Sequence, residues 1–130
     1  MKFICFSYLG PKTWLSMPEA ERKASMERFF AYDDLLRRNG HILGGEGLQG
    51  ARSAATLRFQ NGKVAVTDGP YAETKEQLAG FFILEARDLN QAIELMSQHP
   101  AVQGGPIEIR PVADPTEMIH AREQWRQRAK

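Results

Sequence analysis

The strand predicted at residues 80–86 constrains the fold most, because its side chains are apolar on both faces of any sheet that contains it. Residues 3–6 show the same pattern. Two helices can cover only one face of such a sheet, and an uncovered apolar face promotes association. We therefore expect a homodimer that packs sheet against sheet. The alternative is a C-terminal helix that folds back over its own sheet and covers it with Met118, Ile119 and Trp125.

Capping boxes predict the starts of three helices. In this motif the side chain of the capping residue accepts a hydrogen bond from a backbone N–H in the first turn. The side chain of a Glu or Gln three residues later accepts one from the backbone N–H of the capping residue. The first helix should end near Asn39-Gly40, since glycine adopts the left-handed conformation without strain. The second should stop before Pro100. The three boxes are Ser16/Glu19, Asp88/Gln91 and Asp114/Glu117.

Extended segments lie between these helices. Asn61-Gly62 separates two of them and predicts a type I′ hairpin, because both central residues of that turn need positive φ. The order β-α-β, hairpin, β-α-β and helical tail predicts an α+β, ferredoxin-like fold with an inserted β-hairpin and a C-terminal helix. The predicted strands are 2–8, 41–46, 55–60, 63–67, 80–86 and 107–112.

Length and composition narrow the class of protein. A chain of 130 residues, 42% hydrophobic and 25% charged, suits one domain with a substantial core. The net charge of +1 gives no electrostatic reason to expect nucleic acid or an anionic membrane as partner. Cys5 is the only cysteine, so no intrachain disulfide can form. No signal-peptide pattern or membrane-spanning run is found, so we expect a cytoplasmic protein.

No metal site or cofactor is expected from the residue pattern. His41, His99 and His120 lie far apart in the sequence, and a single cysteine cannot build a thiolate site. The chain also contains no Gly-x-Ser-x-Gly motif for a serine nucleophile.

A loop rich in ionisable side chains joins the fourth and fifth predicted strands. Its sequence at 67–76, Thr-Asp-Gly-Pro-Tyr-Ala-Glu-Thr-Lys-Glu, closely resembles the signature of the DGPF proteins of the YCII-related family, in which Phe replaces Tyr71. The glycine-rich run at 43–48 resembles the same family. This resemblance spans about residues 2–112 and implies a dimeric α+β barrel. We accordingly expect a YCII-related (DGPF) domain at 1–113 and a helical tail at 114–130.

The signature loop supplies most of the candidate site residues. Asp68 precedes Gly-Pro, a context in which an Asp side chain commonly bonds nearby backbone N–H groups. The functional interpretation makes Asp68 a catalytic acid or base, with Glu73 as its helper. Lys75 is predicted to hold an anionic ligand, with Tyr71 and Glu76 as further ligand contacts. The alternative is a self-satisfied charge cluster, with the Tyr71 ring filling the pocket of the usual Phe.

Glu46 is a further candidate catalytic residue. It ends the second predicted strand between glycines, and we expect its carboxylate to face a cleft between the sheet and a helix. The glycines do not form a phosphate loop, because no Lys-Ser/Thr follows and no helix opens directly after them. They are expected to permit a bend and a close approach of backbones.

The resemblance also implies a catalytic pair, a His on the first helix and an Asp in an Asp-Pro step after the second. This chain departs from both, because these positions correspond to Phe29 and to His99-Pro100. His99 is kept as a candidate general base, although a lone His beside a helix end commonly complements its dipole. Asp33 lies against an apolar flank of the first helix, and we interpret it as an edge residue that reaches water or pairs with Arg37.

Two functions follow as hypotheses. The first is a cofactor-free enzyme that performs acid–base chemistry on a small polar organic molecule. The second is a ligand-sensing or protein-interaction module, because the resemblance implies an association with extracytoplasmic-function sigma factors. A partner of the second kind is a sigma-factor-related protein.

Overall fold

The computed structural model describes the backbone of residues 1–130 and the side chains of residues 1–10 and 14–130. Its strands are β1 (Lys2–Leu9), β2 (Ile42–Gly47), β3 (Ala55–Gln60), β4 (Lys63–Asp68), β5 (Gln77–Glu85) and β6 (Ile107–Pro111). Four of them form one antiparallel sheet in the order β2-β5-β1-β6. This is the strand order of a ferredoxin-like sheet, so the predicted α+β fold and its six strands are confirmed.

The helices are α1 (Pro11–Ser16), α2 (Glu19–Arg38), α3 (Leu89–Ser97) and α4 (Thr116–Arg128). α2 ends where predicted, at Asn39 followed by Gly40 with φ +79°. Its predicted start was wrong, because Ser16 ends α1 and Pro18 is the N-cap of α2. Proline disfavours helical backbone in the preceding residue, and Met17 has ψ 134°. A helix therefore cannot run from Ser16 into Glu19.

The start predicted at Asp88 is confirmed, since Asp88 is the N-cap of α3. The one predicted at Asp114 is close but differs in detail, because the N-cap of α4 is Pro115 and Asp114 bonds Thr116 rather than Glu117. Asp88 Oδ1 accepts a bond from the N–H of Gln91 over 2.9 Å, and this bond lowers the pKa of the Asp88 carboxyl. Oε1 of the Gln91 side chain accepts a hydrogen bond from the N–H of Arg87, whereas a capping box would use the N–H of Asp88. α4 begins at Thr116, whose N–H donates to Asp114 Oδ1 over 2.9 Å.

The core lies between the four-stranded sheet and the pair α2 and α3. Alternate side chains of β1 and β5 enter it, and the most deeply buried of these are Phe3, Cys5 and Leu84, each 0% exposed. The helices and β2 contribute the other large members, Leu36, Ile42 and Met96. Burial raises the pKa of the Cys5 thiol to about 11. Cys5 is therefore a buried core residue, as its place in an apolar strand predicted.

The opposite face of the sheet is also apolar. Ile4 pairs with Ile83 and Phe6 with Phe81 across β1 and β5, and these side chains point away from the core. α4 does not bury its apolar side chains on this face, since Met118, Ile119 and Trp125 are 77%, 53% and 63% exposed. The alternative in which α4 plugs its own sheet is therefore wrong.

The inserted hairpin, β3 with β4, is a separate two-stranded sheet. Asn61 and Gly62 turn the chain with φ of 53° and 76°, as the predicted type I′ turn requires. Gly69, directly after β4, has φ +103°, a conformation that favours glycine. The start of the signature loop therefore contains a turn that other residues would adopt only with strain.

Candidate active site

A cavity of about 600 Å³ lies between the helices and the sheet, with walls from α1, α2, β2, β5 and the turn after α3. Its lining is mostly apolar, and the aromatic residues Trp14, Phe29, Phe30 and Phe82 line it, together with Phe81, whose side chain points to the opposite face of the sheet. Its charged lining residues are Arg28, Asp33, Arg37 and Glu46. A cavity of this size, apolar with a few polar groups, is typical of a small-molecule site.

A carboxylate on α2, that of Asp33, lines this cavity and pairs with the buried imidazole of His99, which lies behind the lining. Asp33 Oδ1 lies 2.7 Å from Nε2 of His99, whose side chain is 0% exposed. The N–H of Ala101 donates to Nδ1 of His99 over 3.0 Å, so Nδ1 carries no proton. The ring proton is then on Nε2, and Nε2 donates it to Asp33. The second carboxylate oxygen, Oδ2, has no bond to any described side chain and is available to a molecule in the cavity.

Aromatic rings fix the orientation of His99. The ring centroids of Phe29, Phe82 and Tyr32 lie 4.7, 5.0 and 5.4 Å from that of His99. Tyr32 is itself anchored, because its hydroxyl donates to the carbonyl of Leu95 on α3 over 2.6 Å. The imidazole therefore has one orientation and one tautomer available to it.

Two interpretations from the sequence are wrong here. Asp33 is not an edge residue that pairs with Arg37, because its side chain is 13% exposed and pairs with His99. His99 is not a lone histidine at a helix end, since it lies beyond the C-cap of α3 and contacts α2. Both differences have the same cause, because the face of α2 that carries Asp33 lies against the segment after α3.

Glu46 lies at the end of β2, as expected, and is one of the residues at the border of the cavity. It pairs with Phe81, however, so its side chain lies on the outer face of the sheet and not on the face toward the helices. Its catalytic role stays a prediction. The glycines beside it allow two backbones to approach. A Cβ at Gly45 would lie 2.5 Å from the carbonyl oxygen of Phe81, and one at Gly80 would lie 2.7 Å from that of Glu46. The predicted close approach of backbones is therefore confirmed, and it occurs between β2 and β5 beside the cavity.

The signature loop lies outside this cavity, on the polar face of the hairpin. The N–H of Gly69 donates to the carbonyl of Ala54 over 2.7 Å. Arg58 on β3 donates to the Tyr71 carbonyl over 3.1 Å, and its guanidinium lies 5.3 Å from the Tyr71 ring centroid. Tyr71 is 76% exposed, so the interpretation that its ring fills a pocket is wrong. Asp68 is exposed, and no described residue bonds its side chain.

Lys75 and Glu76 line a second, more open cavity of about 470 Å³, together with Tyr8, Thr74 and Glu108. Glu73 is exposed and lines neither cavity. The structure thus places Glu46 at the border of the cavity that Asp33 lines, with its side chain on the other face of the sheet, and groups Lys75 with Glu76. It does not bring Asp68 or Glu73 to either group. Their catalytic roles stay predictions.

Sequence reasoning missed the Asp33–His99 pair because its members are 66 positions apart. One pattern pointed to it. The family resemblance implied a helix His and an Asp before Pro, and this chain has an Asp on the helix and a His before Pro. The two residue types are exchanged between the two elements, and the residues still meet. Phe29, one turn before Asp33, packs against the His99 ring.

Among residues 1–10 and 14–130, no three His, Cys, Asp or Glu side chains come together where they could hold a metal ion. Of the helices in the described part of the chain, none is both long enough and apolar enough to cross a membrane.

Known proteins share this fold and part of this sequence. A solved structure with TM-score 0.55 and 15% identity, covering 90% of this chain and 98% of its own, is that of 5-chloro-2-hydroxyhydroquinone dehydrochlorinase from Burkholderia phenoliruptrix AC1100, in complex with 2,5-dihydroxybenzoquinone. An uncharacterised protein from Rhizobium meliloti (strain 1021) is 43% identical over 65 residues, which are 47% of this chain and 51% of that protein. The match thus spans about half of that relative.

A family model, described as the YCII-related domain, matches residues 1–116. This range contains the whole four-stranded sheet, the hairpin, the cavity and both members of the Asp33–His99 pair. The chain therefore belongs to the YCII-related domain family.

Proposed function

We propose that this protein is an enzyme that performs acid–base chemistry on a small organic molecule bound in the 600 Å³ cavity, with Asp33 as the group that accepts and returns the proton. One observation carries the proposal. A carboxylate 13% exposed lines an apolar cavity, with one oxygen held by a buried imidazole and the other available to a ligand. Active sites commonly place a titratable group in such surroundings.

The proposed steps use residues of this chain alone. Asp33 Oδ2 removes a proton from the bound molecule, while the bond from His99 Nε2 to Oδ1 holds the carboxylate in place. Asp33 then returns the proton to another atom of the substrate, or to its leaving group. Because Ala101 and three aromatic rings hold the imidazole, His99 acts as a positioning residue for Asp33.

The lining of the cavity indicates the class of substrate. Aromatic side chains on two walls favour a flat, ring-shaped molecule, and the Arg37 guanidinium, which has no ion pair with a described residue, favours an acidic substituent on it. The structural neighbour is named a dehydrochlorinase and was solved with 2,5-dihydroxybenzoquinone, which is a small hydroxylated ring compound. These points support a small acidic or hydroxylated ring compound.

A screen for ligand-induced thermal stabilisation tests where such compounds bind. A ligand present at about 100 times its Kd should add about 2.7 kcal/mol to the free energy of unfolding. Gly47→Phe should fill the cavity without a clash, because a Cβ at Gly47 meets no atom within 4 Å. Gly50→Phe is the matched control, since a Cβ there is equally unobstructed and Gly50 does not line the cavity. Hits retained in Gly47→Phe would reject this site.

The proposal includes a homodimer that packs the outer faces of two sheets together. Ile4, Phe6, Phe81 and Ile83 form an apolar surface there and are only partly buried within the chain. Burying apolar surface is the main favourable term in protein association. Light scattering on a purified sample would test it directly, and a monomer at all concentrations would reject it.

A second candidate function is supported by α4. Its apolar side chains Met118, Ile119 and Trp125 are exposed, and Arg126 and Arg128 lie in its last turn. An exposed helix of this kind suits a protein contact, as the alternative link to sigma-factor regulation requires. Truncation before Asp114 should then abolish capture of one specific protein and leave cavity ligands bound.

A further inference from the structure

We propose that the β3–β4 hairpin is a dimerisation arm whose apolar face packs against a second copy of this chain. This inference rests on the homodimer proposed above and names an additional contact surface in it, separate from the outer face of the main sheet. We define the arm face as the side chains of Leu57, Phe59, Val64 and Val66.

The hairpin has two chemically different faces. Leu57 pairs with Val66 and Phe59 pairs with Val64, so all four apolar side chains point to the same side. Their exposed fractions are 66% and 66% for the first pair, and 76% and 61% for the second. The opposite face carries the polar pairs Thr56 with Thr67 and Gln60 with Lys63, together with Arg58. Only the arm face therefore gains from being covered.

The polar face already has a partner within the chain. The Thr56 hydroxyl donates to the Gly69 carbonyl over 2.9 Å, and Arg58 binds the Tyr71 carbonyl and lies over its ring. The signature loop thus packs on the polar face. The arm face is left with no covering segment among the described residues.

A two-stranded hairpin without further packing is marginally stable in water. This hairpin is nevertheless a regular ladder of six residue pairs, from Ala55 with Asp68 to Gln60 with Lys63. The signature loop supports only the polar face, so burial of the arm face would supply packing that the ladder lacks on its other side. A transient partner would leave the hairpin unsupported for part of the time, whereas a second copy of the chain is always present.

The total surface of the chain fits this argument. It exposes 10019 Å², whereas a compact monomer of 14.7 kDa is expected to expose about 6,900 Å². The excess is about 3,100 Å², and obligate dimers bury roughly 1,000 to 2,500 Å² of each chain. The excess is as large as the area that an obligate dimer buries, and the exposed arm face contributes to it.

The first test compares two lysine substitutions on the same hairpin, measured by light scattering over a dilution series. Phe59→Lys places a charge on the arm face and should weaken the dimer at least about tenfold. Thr67→Lys places the same charge on the polar face of the same ladder and should leave the dimer unchanged. A dimer equally stable in both variants would overturn the arm.

The second test needs no substitution and remains valid if Phe59→Lys unfolds the hairpin. In a mixture of isotope-labelled and unlabelled chains, isotope-filtered NMR detects contacts between copies alone. The methyl groups of Leu57, Val64 and Val66 should show such contacts. A dimer without them overturns the arm and leaves the sheet-to-sheet dimer standing, whereas a monomer overturns both. Neither result bears on the cavity, which the arm face does not line.

Discussion

His99 Nε2 lies 2.7 Å from Asp33 Oδ1, and the two residues join the segment after α3 to the face of α2 that borders the cavity. The bond is shielded from water, because the His99 side chain is 0% exposed. It fixes the rotamer of the one acid that lines the cavity from α2. The contact between α2 and the segment after α3 and the proposed acid–base chemistry therefore depend on the same pair of residues.

Replacing Asp33 should separate its structural role from its chemical one. Asp33→Asn keeps an oxygen that can accept the bond from Nε2, so we expect a change in unfolding free energy below about 1 kcal/mol. Asp33→Leu leaves the buried N–H of His99 without an acceptor and should cost about 1–3 kcal/mol. Urea unfolding of both variants checks this. Equal losses in the two would contradict the bond as described.

The tautomer of His99 is open to direct observation. Because the Ala101 N–H donates to Nδ1, the proton should reside on Nε2 in the neutral ring. Nitrogen-15 NMR of the labelled imidazole distinguishes the two tautomers. His120, which is exposed on α4 and lies 3.3 Å from the Gln124 amide through Nε2, is the internal reference for a ring at the surface. A proton found on Nδ1 of His99 would refute the proposed positioning role.

Two adjacent glycines in β2 should differ sharply in tolerance to alanine. A Cβ at Gly45 would lie 2.5 Å from a backbone oxygen of β5, whereas one at Gly44 meets only the Ile83 side chain at 3.7 Å. Gly45→Ala should therefore cost about 1–3 kcal/mol, as overpacking does, and Gly44→Ala should be nearly neutral. Thermal unfolding compares them. The reverse order would show that β2 and β5 approach differently.

Alkaline pH should weaken the fold through Cys5. Burial raises the pKa of its thiol from 9.0 to about 11, so the unfolded chain releases this proton at lower pH than the folded one. The contribution is complete below pH 9 and is lost as the pH rises toward about 11. Wild type should thus lose more stability than Cys5→Ala between these values. Equal losses would place the thiol in water.

The element order and the hairpin could be predicted because they depend on local chemistry. Asn61-Gly62 specifies its turn, and alternating apolar residues specify β1 and β5. The start of α2 could not, because Pro18 overrides the cap that Ser16 would otherwise form. The site was the hardest part. The position of Glu46 at the end of β2 could be predicted, but the face to which its side chain points could not, because it depends on the pairing with β5. The role of Asp33 depends on His99, which only the tertiary fold brings to it.

The signature loop shows the same limit. Its charges favoured a catalytic site at Asp68, yet the hairpin holds the loop through Arg58 and Tyr71, away from the cavity. A high density of ionisable residues indicates exposure as well as function. Whether the charges of this loop mark a functional site or only an exposed surface depends on where β3 and β4 pack.

Solvent-deuterium exchange tests the central claim most directly, because it follows the proton that Asp33 is proposed to move. A ring compound that binds the cavity is incubated in heavy water with wild type, Asp33→Asn, Asp34→Asn and Asp68→Asn, and NMR follows the loss of its acidic C–H signal. Asp34 is the matched control, as an exposed acid next in sequence on α2. The account predicts that Asp33→Asn alone slows exchange, by about 100-fold or more, as loss of a general base does. Exchange at the wild-type rate in Asp33→Asn, or its loss in Asp68→Asn, would contradict it.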